Sequence, residues 1–171
     1  MGAYAFGFLL ALRRYSQEDR RRLFADPKST LAAPQQAILR LGQVIAIAFV
    51  AFTFFVPLTH RATILLIGLC LYAPGYALVL VALRAFRRSP PGRPAVDGPY
   101  RLTRNPQWVG LFLVLLGTAV TSGAWSMIVM AFAVGCIYHI QVLAEEKACR
   151  DLYGEPYASY LRRVPRYFVW F

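Results

Sequence analysis

The chain has 171 residues, 58% hydrophobic and only 16% charged, a balance that excludes an ordinary soluble domain and leaves room for a few bilayer crossings of about 20 residues each. A net charge of +11 fits either nucleic acid or an anionic membrane surface, and placement decides between them. The basic residues form three clusters, Arg13 to Arg40, Arg84 to Arg104 and Lys147 to Arg166, separated by long uncharged stretches with only Arg61 outside the clusters, which favours a membrane over nucleic acid.

In chain order, Met1 to Leu12 is apolar but precedes its basic run, the reverse of a secretory signal, and reads as a short interfacial helix. Leu41 to Leu58 is uncharged, ends at Pro57 and is followed by Thr59, His60 and Arg61; it is the first predicted span. Thr63 to Leu83 is the second, with a kink expected at Pro74 and Gly75, which neighbouring helices can repair in lipid. Arg84 to Pro106 holds Pro90, Pro91, Pro94, Pro99 and Pro106, and predicts a stiff, irregular loop. The uncharged stretch Gln107 to Leu143 would run to about 55 Å as one helix, so it must fold back. Thr121, Ser122 and Gly123 supply the turn, with Trp125 at the far interface. The first arm is short, so a re-entrant hairpin is the alternative to two full crossings. From Glu145 onward the last helix extends beyond the membrane, turns at Gly154 to Pro156 and continues as a short amphipathic helix ending at Pro165. The expected fold is an all-α integral membrane bundle of four transmembrane helices in two hairpins, one domain over residues 1–171, with an interfacial N-terminal helix and a C-terminal helical tail.

With Arg61 as the one basic residue of the far-side connections, the positive-inside rule puts both termini in the cytoplasm. Every Asp and Glu falls on that side too, so no intramembrane carboxylate serves as a proton relay or ion site, which argues against a pump. Cys70, Cys136 and Cys149 read as free thiols, and His60 and His139 form no metal-ligand cluster, so no metal is expected.

Two cytoplasmic segments carry unusual detail: Asp97-Gly-Pro-Tyr-Arg-Leu-Thr-Arg-Asn-Pro-Gln-Trp-Val-Gly110, and Glu145-Glu-Lys-Ala-Cys-Arg-Asp-Leu-Tyr-Gly-Glu-Pro-Tyr-Ala-Ser-Tyr-Leu-Arg-Arg-Val-Pro-Arg166. Together, and in this order around a hydrophobic hairpin, they resemble the isoprenylcysteine carboxyl methyltransferase family and its bacterial relatives. The resemblance covers residues 89–166, the motif-bearing half. It implies a bacterial inner-membrane enzyme that transfers a methyl group from S-adenosylmethionine to a lipophilic small-molecule or lipid acceptor arriving from the bilayer, with no obligate protein partner.

By that resemblance Tyr100, Asn105, Pro106, Gln107 and Trp108 line the cofactor pocket, with backbone around Arg93, Pro94 and Ala95, and Glu145 accepts hydrogen bonds from the cofactor. A carboxylate suits ribose hydroxyls or an amino group through charge-assisted bonds. The chain departs from the eukaryotic pattern in having Asn105 for a histidine, Trp108 for a tyrosine and Gln141 for a substrate-contacting arginine. Without that guanidinium a carboxylate acceptor loses its partner, unless Arg163 or another tail arginine replaces it.

Plainer roles compete. Arg101 and Arg104 suit lipid phosphates; Glu146, more than Glu145, suits a solvated helix face; Trp108, Tyr138 and His139 suit interface anchors or bundle packing; Arg162, Arg163 and Arg166 suit a surface-binding tail. Two other functions fit parts of the sequence. A non-enzymatic scaffold or lipid-binding protein needs the basic face but neither Glu145 nor Tyr100, and a sterol-reductase-like enzyme would bring a nicotinamide cofactor, for which no dinucleotide glycine fingerprint is present.

Overall fold

The computed structural model describes residues 32–90 and 93–168, and the expected interfacial helix at residues 1–12 lies outside them. Among the described residues the chain is all helix, with five α-helices and no strand. Helix α1 spans Ala33–Phe55, α2 Ala62–Arg88, α3 Pro106–Ser122, α4 Trp125–Tyr153 and α5 Glu155–Arg163, with a 3-10 turn at Gly98–Arg101 before α3. Helices α1, α2 and α4 are long and apolar enough to cross a membrane, which makes this a membrane protein. Helix α3 has 17 residues, about 26 Å of rise against a hydrocarbon layer of about 30 Å.

The boundaries follow local chemistry. Helix α1 opens with Pro34 in its first turn, where a missing N–H costs nothing, and ends at Phe55 just before Pro57. Pro74 lies inside a continuous α2. Helix α3 closes on Gly123, whose φ of 69° is open to glycine at little cost, and α4 begins at Trp125, so the expected hairpin turn forms where Thr121, Ser122 and Gly123 placed it. The hydroxyls of Thr118, Thr121 and Ser122 donate back to carbonyls of Val114, Thr118 and Ala119 in their own helix, so lipid need not solvate these three groups. Trp125 is 80% exposed, as an interface anchor would be.

Neighbours in the bundle run α1, α4, α3, α2. The α2–α3 contact is the most extensive, and two glycine pairs explain it. A Cβ on Gly117 would lie 2.6 Å from the Tyr72 backbone nitrogen and 2.7 Å from the Gly68 oxygen. Two turns along, a Cβ on Gly110 would lie 2.8 Å from the Gly75 oxygen. Backbones therefore touch directly, the close packing that replaces the hydrophobic effect in lipid. Helix α1 runs antiparallel to α4, with Gly42 against Ile137 and Phe49 packed with Met127 and Ala131. The α1–α2 loop and the α3–α4 turn sit at one end, joined by the Thr59 N–H donating to the Thr121 carbonyl at 2.9 Å. The proline-rich loop, the end of α4 and α5 occupy the opposite end, where both sequence motifs meet.

Candidate functional site

Glu145 lies just beyond the uncharged stretch of α4, half-buried, and each of its oxygens has one donor. Trp108, in the first turns of α3, gives its indole N–H to Oε2 at 3.0 Å. Gln141, one turn back on the same face of α4, gives its amide to Oε1 at 2.9 Å. Burial raises the Glu145 carboxyl above the ordinary glutamate range, and the two hydrogen bonds pull part of the way back. A carboxylate offers about four lone-pair positions, so two remain for a ligand. The Trp108 ring also packs on Tyr138, with centroids 4.9 Å apart.

Tyr100, buried in the 3-10 turn, receives a hydrogen bond on its hydroxyl from the Gln107 amide at 2.9 Å. Its backbone carbonyl accepts the Tyr160 hydroxyl of α5 at 2.7 Å. Arg93 is exposed and Pro94 and Ala95 are half-buried in the loop before that turn. Pro106 is buried at the start of α3.

The neighbouring Glu146 behaves differently. It is 6% exposed, and so is no solvated helix face. Arg166 grips it with Nε at 3.1 Å from both oxygens and Nη2 at 2.9 Å from Oε2. Arg104 adds a longer contact at 3.5 Å. The Asn105 amide donates one hydrogen to Glu146 and the other to the Arg166 carbonyl, both at 3.2 Å. That carbonyl also accepts the fully buried Thr103 hydroxyl at 2.9 Å, and the Arg104 N–H reaches the Pro165 carbonyl at 2.9 Å. Arg104 and Arg166 thus lock the segment at Pro165 and Arg166 onto the loop before α3 instead of reaching lipid phosphates or forming a free tail. Arg163 stays exposed on α5, donating to the Ser159 carbonyl of its own helix, one turn back.

Sequence reasoning missed Glu146 and Thr103. A usable signal was present: once Glu145 is set aside for a ligand, the motif arginines 104 and 166 still need an acid, and Glu146 is the next residue.

Below Trp108 a groove of about 510 Å³ runs between α3 and α4. Its walls are almost wholly apolar, with Phe112, Leu115, Phe132 and Val142 among them, and Tyr167 and Phe168 also line it. Gly135 lets the Phe112 ring pack against α4 there, since a Cβ on it would lie 2.8 Å from that ring. His139 also faces the groove, with Nδ1 2.7 Å from the Tyr167 hydroxyl.

A family model described as phospholipid methyltransferase matches residues 63–156, more than half the chain. The chain belongs to the phospholipid methyltransferase family. This family is related to the isoprenylcysteine carboxyl methyltransferases that the two motifs resemble, and the assignment makes the protein a membrane methyltransferase at family level. The match runs from the start of α2 to the first turn of α5, so it contains Tyr100, Asn105, Trp108, Gln141 and both glutamates but neither Arg163 nor Arg166. No curated protein and no solved structure matches the chain.

Proposed function

We propose that the protein transfers the methyl group of S-adenosylmethionine to a lipophilic acceptor whose apolar part lies in the α3–α4 groove. One observation carries this reading: Trp108 is a shared wall, donating to Glu145 on its polar side and lining the apolar groove with its ring. A water-soluble methyl donor and a bilayer-borne acceptor need such adjoining sites.

The residues present fit the donor. Glu145 has lone pairs for its hydroxyl or amino groups, Trp108 and Tyr138 provide an aromatic wall, and Tyr100 with Gln107 closes the side toward the proline-rich loop. Arg93, Pro94 and Ala95 contribute backbone, and Asn105 and Pro106 shape the turn into α3. The bound donor supplies an electrophilic methyl on sulfur, so orientation and exclusion of water by these side chains account for much of the rate. Gln141 bears no charge with which to neutralise an acceptor carboxylate, and Arg163 points along its own helix. Desolvating an unpaired carboxylate is costly, so a neutral or amine-bearing acceptor is favoured, and a phospholipid amine agrees with the family's description.

In this reading α3 completes a four-span bundle in a bacterial inner membrane, with the site at the cytoplasmic face. Thiol labelling with native cysteines replaced should reach Ser122→Cys from outside and Ser89→Cys and Ser159→Cys from the cytoplasm. Labelling of position 122 from the cytoplasm alone would make the hairpin re-entrant.

The functional test is transfer of radiolabelled methyl from S-adenosylmethionine to phosphatidylethanolamine, a neutral prenyl thiol and a prenylcysteine acid by the purified protein in nanodiscs. Labelling of the first or second above the third is expected. Efficient labelling of the acid, undiminished in Arg163→Ala, would overturn the charge argument. Absence of any transfer, together with binding of NADPH, would overturn the methyltransferase reading.

A further inference from the structure

Methylating an amine or a thiol releases a proton, and the groove that would hold the acceptor's chain has apolar walls almost throughout. His139 is the one imidazole among the groove residues. It lies six residues before Glu145, about 9 Å along the axis of α4. Its Nδ1 is 2.7 Å from the Tyr167 hydroxyl, with the two rings 5.8 Å apart. Tyr167 is itself fixed, because Arg166 beside it is clamped through side chain and carbonyl to Glu146, Thr103 and Asn105. This is more order than bundle packing asks of one histidine. In the tautomer whose Nδ1–H donates to the Tyr167 oxygen, Nε2 keeps its lone pair for the groove.

We propose that His139 is the proton acceptor of the methyl transfer and that Tyr167 is its positioning residue, an inference that rests on the groove being the acceptor site. As the acceptor's nitrogen or sulfur forms its bond to the methyl carbon and the carbon–sulfonium bond breaks, S-adenosylhomocysteine leaves with the electron pair. The acceptor's proton passes to Nε2. The resulting imidazolium keeps its Nδ1–H on the Tyr167 oxygen and releases the proton to water at the polar end. Burial holds the Tyr167 phenol above its ordinary range, with Arg166 pulling it back in part, so it stays a neutral partner. Among the described residues, the charged and titratable groups around the pair are Cys136, Tyr138, Glu145 and Glu146 on α4, Arg166 in the tail and the exposed Arg40 on α1, while α3 has none from Gln107 to Ser122.

Ring-labelled histidine NMR on the full chain in nanodiscs tests this, with His139 assigned by loss of its signal in His139→Gln. The expected ring is an Nδ1–H tautomer that shifts when decanethiol is added while His60 does not, and that loses its tautomer preference in Tyr167→Phe. An Nε2–H tautomer or indifference to decanethiol would overturn the proposal. In the methyl transfer assay, His139→Gln should lower kcat about 100-fold or more and remove the acidic limb of the pH profile. Its affinity for S-adenosylmethionine should stay within a factor of about two, because the ring touches the acceptor side. Unchanged kcat would likewise overturn it. If S-adenosylmethionine fails to bind the unaltered protein, the methyltransferase reading falls, and the NMR titration still decides whether His139 is a poised base.

Discussion

Two consecutive glutamates divide the work at the end of α4. Glu146 turns inward and is consumed by the fold, with Arg166, Arg104 and Asn105 filling its oxygens. Glu145, rotated about 100° around the helix, meets among the described residues two neutral donors, Trp108 and Gln141, and keeps capacity for a ligand. A charge met by fixed cations is structural, whereas one met by neutral donors, half-buried and raised in pKa, is poised for a partner from outside.

The contrast breaks most visibly at Glu146. Glu146→Ala leaves Arg104 and the partly exposed Arg166 without their carboxylate, and should cost about 3 kcal/mol of stability, the low end for a buried pair. Denaturation in detergent checks it, and a loss below about 0.5 kcal/mol would contradict the clamp. Trp108→Phe keeps an aromatic wall but removes one donor from Glu145. It should weaken S-adenosylmethionine binding up to about ten-fold and leave stability within about 1 kcal/mol, both measurable on one preparation.

The smallest expected effect comes from pH. Because burial raises the Glu145 pKa, S-adenosylmethionine affinity should begin to fall, on acidification, above the pH at which an ordinary glutamate protonates. The linkage to folding has the opposite sign. A raised carboxyl stabilises the fold below its unfolded pKa, and that contribution is lost as pH rises through the folded value. Acid should therefore weaken binding without unfolding the protein through this residue. Titrations across pH on the unaltered protein and Glu145→Gln, which should lack the effect, separate the two.

Much of this architecture was legible from sequence because charge marks where lipid ends. Uncharged runs located α1, α2 and the α3–α4 hairpin, and Gly123 marked its turn. Helix α1 extends back to Ala33 past Arg40, whose exposed side chain can snorkel to the interface. The motifs pointed to Glu145 with Trp108 and Gln141, which the structure brings together. They did not separate Glu145 from Glu146, because helical period gives relative angle and not which face is covered. The groove was invisible for a related reason: its width depends on which helix pair closes tightly, and that is set by Gly68, Gly75, Gly110 and Gly117 on the α2–α3 side and by Phe112 against Gly135 on the other. The seven-residue spacing of the two glycines on each helix, Gly68 and Gly75 on α2 and Gly110 and Gly117 on α3, was the available sign.

The central claim, that Glu145 serves the methyl donor while Glu146 serves the fold, is tested most directly by calorimetric titration of S-adenosylmethionine against the unaltered protein and Glu145→Ala. Binding should weaken about ten-fold to a hundred-fold in the mutant, as expected for one lost charge-assisted hydrogen bond, with its unfolding transition unmoved. Equal affinity in the two proteins would contradict it.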